Sequence, residues 1–557
     1  MRTGAVVRVL AAAAGLGLGA GWASAQLRVV EWNITNYTFP SSRDSAFQTA
    51  VYGVAPNGLQ LAPDIIVVQE LEQGGSGNSP ARQSTGQFNL NGFASVLNSA
   101  PGSPGDWAVA PYVANNGDDG NALLYRTSKV QWISTATLSA NQGTGPNQSP
   151  RDTQRWRVRL AGYTGAGAEL YIYGAHYKAG STPADSDRRI PESRRIRIDS
   201  NALPVGSHFL LCADMNIQNS GQTEYQYLVQ LNPSPATGEE FLASANGRFF
   251  DPINTPAAGS MAVITWENNG AYRNIHTQDP ASQMDSRHDH IVFSSTLRDG
   301  VGMDYLPRNF GGNVFAPFSV WNSPSNPGTW DDPNHTYRCW GNDGTSYNLP
   351  LNTTNNSMVG PVIAQALVTC AAGNGHLPVY LDLQVPAKVS APVVVDFGTV
   401  NLNTTAQASV AVWNGANVAL WSRNGTSRGI DILRYSLSAS SGFTAPAGMF
   451  TDAAGGATNQ HVLTMDTSSL GMKTGTLTIT SNDPGVPTLM VTLTGMVVGG
   501  FDFDVNNDGL VNNEDLHRWY GLFTDVNGNG TVDQDDVNTL RSQLRIGEVA
   551  DMTAGQR

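Results

Sequence analysis

The sequence predicts a multidomain chain: an enzyme-sized α/β (α+β) domain, then an all-β sandwich, then a small α element built on paired ion-binding loops. Three observations carry this prediction. Residues 27–386 alternate short apolar strands with helical and loop segments, whereas residues 391–498 hold only short alternating strands. In the tail, 501–546, an acidic Gly-containing pattern occurs twice, 21 residues apart.

The chain begins MRTGAVVRVLAAAAGLGLGAGWASAQ, with Arg2 and Arg8 ahead of an apolar run and Ala23-Ser24-Ala25 behind it. That order predicts a secretory signal peptide over 1–26 and a secreted protein, extracellular or periplasmic. The apolar run is short and glycine-rich, and no later stretch reaches the ~18–20 apolar residues that span a bilayer. Glycine is abundant (59), proline frequent (30) and charge sparse, as expected of a loop-rich exported chain. Of the net charge of -13, about half sits in 501–557, where eleven acidic side chains face four basic ones. Clustered Lys/Arg of the kind that tracks polyanions is not evident, so a nucleic-acid substrate would be met at a local site. Cys212, Cys339 and Cys370 leave an odd count. Cys339 and Cys370 could pair, and Cys212, in HFLLCADMN, reads as a buried thiol. No Cys/His spacing suits a structural zinc.

In the first domain, LRVVEWNI, DIIVVQE, NALLYR, AELYIYGAHY, HFLLCADMN and HDHIVFSS read as strands: short, β-branched or aromatic, and bounded by polar residues. ADSDRRIPESRRIRIDSNAL reads as a helix with an early Pro191. It carries the densest basic cluster: Arg188, Arg189, Arg194, Arg195 and Arg197. Interspersed acids favour a solvated helix face. The alternative is that Arg188 and Arg189 contact a substrate phosphate. PAKVSAP is a linker, and the strands after it, among them VVVDFGTV, GTLTITSND and TLMVTLTGMV, suit a β-sandwich of immunoglobulin size with no helical period.

The tail repeat reads DVNNDGLVNNED and DVNGNGTVDQDD. Oxygen donors fall at positions 1, 3, 5, 7, 9 and 12 of a calcium loop, with Gly509 and Gly530 at position 6. They are Asp504, Asn506, Asp508, the Leu510 carbonyl, Asn512 and Asp515, then Asp525, Asn527, Asn529, the Thr531 carbonyl, Asp533 and Asp536. Hard oxygen donors at that spacing predict Ca²⁺.

Polar residues stand at the ends of the apolar strands of the first domain: Asn33, Glu70, His176, Asp214 and Asn216, Asp289, and His376 ahead of LPVYLDL. Each alone is an ordinary strand terminator. Together they place carboxylates, imidazoles and amides at one rim of a sheet.

EWN, VQE, AHYKAGS, ADMN, RHDHIVFS and HLPVYLDL, in this order, resemble the endonuclease/exonuclease/phosphatase family over residues 27–386. The resemblance implies a four-layer sandwich of two packed sheets flanked by helices, a divalent metal (Mg²⁺ or Mn²⁺), and phosphoester hydrolysis. Carried onto this chain, Glu70 is the main metal ligand with Asn33 beside it. Asp214 orients or deprotonates the attacking water, and Asn216 and His176 donate to phosphate. His376, oriented and kept cationic by Asp289, bonds the developing phosphorane. Gly375 stands where the family has Asp, and His290 where it usually has Tyr. FGTV and GTLTITSNDPGVPTLMVTLTG are similar to anchor-type immunoglobulin-like domains. The tail resembles a type I dockerin, with LHRWYGLF and VNTLRSQLR as its helices, which implies a cohesin-like or surface partner. The function read from all this is a metal-dependent phosphodiesterase acting on DNA or RNA. The alternatives are a phosphomonoesterase, a phospholipase C or sphingomyelinase-like enzyme, and a degenerate fold kept for binding.

Overall fold

The computed structural model describes residues 27–74, 79–116, 119–139, 151–230, 246–253, 263–306, 330, 335–421, 429–499, 503–506, 510–522 and 524–543. The expected signal peptide, 1–26, and Asp508 lie outside the described residues.

The first domain is built on two sheets. One holds β1 (Leu27–Tyr37), β2 (Ile65–Glu72), β3 (Trp107–Val109), β4 (Asp119–Arg126), β11 (Asp304–Tyr305), β12 (Arg338–Cys339) and β13 (Val379–Gln384), in the order β11-β13-β1-β2-β4-β3 with β12 also on β13. The other holds β5 (Val130–Leu138), β6 (Thr153–Leu160), β7 (Glu169–His176), β8 (His208–Asp214), β9 (Phe249–Phe250) and β10 (Asp289–Ser294), in the order β5-β6-β7-β8-β10-β9. They pack face to face, β1 against β8 and β10, and β2 against β7 and β8. Helices α1 (Asp44–Tyr52), α2 (Pro80–Asn98) and α5 (Gly360–Ala371) cover the first sheet; α3 (Pro183–Ala202) and α4 (Thr223–Val229) accompany the second. With both faces covered, IIVV of β2 is apolar without alternation and fully buried, and in LRVV of β1 the one charged residue, Arg28, is buried on Asp382.

The basic helix is not a solvated face. Thr182 and Asp185 form a capping box, and Pro191 lies inside the helix. Arg189 is buried, its Nε 2.7 Å from Glu224 Oε1 and its Nη1 donating to the carbonyls of Lys178 and Gly180. Arg197, also buried, donates to the carbonyls of Tyr227, Leu228 and Gln230 at the end of α4. These guanidiniums satisfy buried carbonyls that have lost water. Arg188, half-buried, has interactions of its own on the same helix. Cys339 and Cys370 are unpaired: all three cysteines are buried free thiols, and Cys339 Sγ donates to the His276 carbonyl at 3.1 Å.

The second domain is a sandwich of two sheets. One contains β14 (Val389–Ser390), β16 (Ala406–Asn414), β18 (Phe443–Thr444) and β20 (Asn459–Met465). The other contains β15 (Val394–Asn401), β17 (Leu433–Ala439), β19 (Phe450–Asp452), β21 (Gly471–Ser481) and β22 (Thr488–Val498). It also carries a one-turn helix, α6 (Val418–Trp421), too short to leave a helical period in the sequence. That turn docks onto the first domain. Trp421 packs edge-on against Tyr163 and lies 4.8 Å beneath Lys129 Nζ, which donates to the Leu420 carbonyl. Tyr163 Oη donates to the Pro386 carbonyl at 2.5 Å. In the tail, α7 (Asn513–Leu522) and residues 534–543 are helical around a small core of Val505, Trp519, Val526, Val537 and Leu540. No helix among the described residues is long and apolar enough to cross a membrane.

His208, at the start of β8, bonds Thr296 and the Gly167 carbonyl, and burial holds its pKa down at about 4. Between pH ~6.5 and about 4 the unfolded imidazole takes up a proton and the folded one does not, so stability falls as pH drops through this window. Thermal melts across that window are expected to show a fall that His208→Gln reduces, by up to ~3 kcal/mol. An unchanged pH slope in the variant would refute this assignment.

Candidate active site

The site forms where β7, β8 and β10 place three functional groups side by side. His176 is level with Asp214 across the parallel β7–β8 pair, and Asp289 is level with Asp214 across the antiparallel β8–β10 pair. From the facing sheet, β1 and β2 contribute Asn33 and Glu70. His376 enters from the segment between α5 and β13, held by a bridge to Gln278 and by Trp32 Nε1 donating to its carbonyl at 3.2 Å.

Asp214 Oδ2 is the hub. It accepts from Asn33 Nδ2 at 3.0 Å and lies 3.5 Å from His176 Nε2 and 3.7 Å from His376 Nε2. Its other oxygen accepts the Asn216 backbone N–H at 3.1 Å. Asn33 Nδ2 also donates to Glu70 Oε1 at 2.9 Å, and His176 Nε2 lies 3.8 Å from that same oxygen. His376 Nδ1 donates to Asp289 Oδ2 at 2.7 Å. Asn33, Glu70, His176, Asp214, Asn216, Asp289 and His376 thus converge. Arg189 is instead spent on Glu224 and two carbonyls.

The two imidazoles are set apart by their surroundings. Burial drives His176 well below its ordinary pKa, so it is neutral, with the carboxylates around Nε2 keeping its proton there. Burial also opposes charge on His376, but the carboxylates of Asp289, Asp214 and Glu70 outweigh it and raise its pKa to about 10. One neutral and one cationic N–H donor therefore face Asp214.

Asn33 and Asn216 each make backbone contacts that fix their side chains. Asn33 Oδ1 accepts the Thr35 backbone N–H at 3.0 Å, so its oxygen is capped and its amide hydrogens bridge the carboxylates. Asn216, at φ +50, clamps Asp214 through its backbone and gives one amide hydrogen to the Tyr177 carbonyl at 3.2 Å. The second amide hydrogen is left for a ligand.

Glu31 was not visible as a site residue. Its carboxyl is fully buried, and no N–H or O–H reaches either of its oxygens or Asp289 Oδ1. Burial first, then the charges of Asp289 and Asp214, push its pKa well above the carboxylate range. A neutral Glu31 carboxyl is the donor that Asp289 Oδ1 otherwise lacks. A charged residue facing inward within an apolar strand was the one sequence signal.

The residues suit a divalent cation. Glu70, His176 and Asp214 bring one ligand atom each to within 4.8 Å of one another, as do Asp214, Asp289 and His376. In the first group the two carboxylates are the donors available to a cation, the neutral imidazole holds its Nε2 proton beside them, and Glu70 is partly open to solvent. The glycine at 375 has a local cause. A Cβ there would lie 2.2 Å from the Ala371 carbonyl oxygen and 2.2 Å from Thr35 Oγ1.

Among solved structures, the chain is similar to the human Nocturnin catalytic domain, at 13% identity and TM-score 0.31, over 64% of this chain and 94% of that one. It is similar to an endonuclease/exonuclease/phosphatase family protein from Bacteroides thetaiotaomicron, at 13% identity and TM-score 0.33, over 64% and 94%. A third, an endonuclease/exonuclease/phosphatase from Beutenbergia cavernae, is 11% identical with TM-score 0.30, over 84% of this chain and all (100%) of that one. No family model matches the chain, and no curated protein matches it.

Gly375→Asp, which would restore the acid the family resemblance implies, is expected to lower the melting temperature and leave divalent-metal affinity no higher, because its Cβ meets backbone. Calorimetric Mn²⁺ titration with a thermal melt checks both. Tighter metal binding at unchanged stability would overturn the steric account.

Proposed function

We propose that the first domain is a divalent-metal-dependent phosphoric ester hydrolase that cleaves phosphodiester bonds of nucleic acid. The observation that carries this reading is the hub at Asp214 Oδ2, with an amide, a neutral imidazole and an imidazolium within 3.0, 3.5 and 3.7 Å. Phosphoryl transfer needs a positioned water, charge compensation on the non-bridging oxygens and little covalent help. Asp214 is the acceptor that orients and deprotonates water. His376 donates from Nε2 to an oxygen that gains negative charge, and His176 donates to a second. Asp289 holds the His376 tautomer, and the neutral Glu31 holds Asp289. A divalent metal, held by Glu70 with Asp214 beside it, would supply charge neutralisation on the phosphate, and His176 keeps its Nε2 proton for the phosphate oxygen.

Nucleic-acid phosphodiesters are favoured over those of phospholipids because the first domain shows no long apolar membrane-contact loop in its sequence. We propose also that the protein is exported, on the strength of its leader pattern. In the tail, Asp515 accepts the backbone N–H groups of Asn506 and Asn512, at 3.2 and 2.7 Å. Asp536 accepts those of Asn527 and Asp533, at 3.0 and 2.8 Å. Each position-12 carboxylate thus draws the start and the ninth position of its loop together, which supports the calcium-loop reading, and the dockerin-like tether to a cohesin-like partner rests on the sequence resemblance.

Plasmid DNA, single-stranded DNA, bis(p-nitrophenyl) phosphate and p-nitrophenyl phosphate are to be offered with and without Mg²⁺. Diester cleavage that needs Mg²⁺ is expected, with His376→Gln and Glu70→Gln each slower by about 10²–10⁴-fold. Activity should fall as pH rises through about 10 and His376 loses its proton. Hydrolysis of the monoester alone would refute the diester reading, and undiminished cleavage by both variants would refute the site. For the tail, EGTA is expected to lower helical circular dichroism over 501–546, since clustered carboxylates repel without a cation. A spectrum indifferent to EGTA would refute calcium-dependent folding.

A further inference from the structure

Between Asn33 and Tyr37 the β1–β2 ladder breaks. Asn33 pairs with Gln69 and Tyr37 with Leu71, so Ile34, Thr35 and Asn36 stand opposite the single residue Glu70. Three residues of this irregularity are left-handed without being glycine: Thr35 (φ 50), Asn36 (φ 47) and Glu70 (φ 55). For a β-branched residue such as Thr35 that conformation is a steric outlier, and it persists only where the surroundings over-determine it. The Thr35 hydroxyl is buried without a hydrogen-bond partner, so its own side chain does not hold the turn.

The holder is Arg43. Its Nη1 donates to the Ile34 carbonyl at 3.1 Å and to the Cys370 carbonyl at 2.7 Å, and its Nη2 donates to the Thr35 carbonyl at 2.8 Å. Its guanidinium lies 5.6 Å from the Phe47 ring centroid and 6.0 Å from that of Tyr37, which fixes its plane. One planar fork thus ties the strained turn after Asn33 to the last turn of α5, five residues before Gly375. On the Gly375 side, Thr35 Oγ1 and the Ala371 carbonyl pack against that glycine.

Resting on the phosphoesterase reading above, we propose that Arg43 is a positioning residue. It holds Thr35 left-handed so that the Thr35 N–H caps Asn33 Oδ1 and aims the Asn33 amide at both Glu70 and Asp214. Arg43 donates no hydrogen bond to the reacting groups and acts through the backbone carbonyls it ties together. The same fork fixes the approach to His376, so a single side chain sets the spacing between the carboxylates and the imidazolium. A lysine ammonium cannot reproduce the fork, because a point charge on a flexible stem does not bond three carbonyls in one plane.

The test compares Arg43→Met with the triple variant Arg43→Met, Thr35→Gly, Asn36→Gly. Glycine adopts the left-handed turn without strain, so the turn no longer needs its clamp. Arg43→Met is expected to slow bis(p-nitrophenyl) phosphate cleavage and weaken Mn²⁺ binding, each by about 10–100-fold. The triple variant should recover most of both losses. A general stabilising role for Arg43 would give lost stability with no recovery from glycine. The proposal is overturned if Arg43→Met stays within about twofold of the parent in both measurements, or if the triple variant recovers neither. Should Arg43→Met fail to fold, Arg43→Lys with and without the two glycines makes the same comparison. If the parent protein cleaves no ester, the phosphoesterase reading fails, while Mn²⁺ titration still decides the role of Arg43.

Discussion

The imidazolium of His376 is the interaction on which the site depends. Strand register forces two carboxylates together, because Asp214 and Asp289 are directly opposite on β8 and β10 and neighbouring strands run only ~5 Å apart. Glu70 adds a third carboxylate next to Asp214, bridged to it by the Asn33 amide. In a buried setting such a cluster repels itself and would take up protons. His376 lies between the first two, 2.7 Å from Asp289 and 3.7 Å from Asp214, and supplies the compensating charge. Glu31 sheds its own charge by keeping a proton. The Glu70–Asp214 side is where a cation fits, and on the Asp289 side the imidazole has its fixed partner.

The strand-end residues were legible because an apolar run that stops at Asn, Glu, His or Asp leaves that residue at a rim, whatever the tertiary details. The pairing of sheets was less so, since period and propensity do not say which strands become neighbours. Orientation was not legible at all. Nothing in EWNIT tells that the Asn33 oxygen turns back to a backbone N–H and its amide faces the acids. The basic helix failed for a related reason. Arg189 and Arg197 read as solvated because arginine usually is, but the carbonyls they satisfy come from Lys178, Gly180 and the end of α4, far away in the local pattern. Glu31 was passed over because a single acidic residue in a strand more often marks an exposed face.

Among the described residues, four of the ten non-glycine residues with positive φ belong to the site. Thr35, Asn36, Glu70 and Asn216 all have positive φ without being glycine. A regular strand alternates its side chains between two faces, so it cannot point Asn33 and Glu70 at one another and also return to the ladder in step. The irregularity between Asn33 and Tyr37 solves this by giving three residues of β1 to one of β2. Gly375 belongs to the same solution. With Thr35 turned inward, the backbone at 375 has no room for a Cβ, so a carboxylate there and this turn exclude each other.

The placement of the second domain follows from the same strand polarity. Asn33, His176 and Asp214 lie toward the carboxyl ends of β1, β7 and β8. The sandwich meets the first domain at the other ends: through Tyr163, just after β6, against Trp421, through Lys129, just before β5, and through Val385, just after β13, which bridges to Ile430. Trp421 and Ile430 are buried in the first domain's own core cluster, so this contact is part of its packing rather than a loose linker. The tail then meets the far side of the chain's path, where Gly499, just past β22, donates to the Gly528 carbonyl at 3.0 Å. Neither the sandwich contacts nor that tail contact involves the rim that carries Asp214, so both leave that rim open on the side away from them.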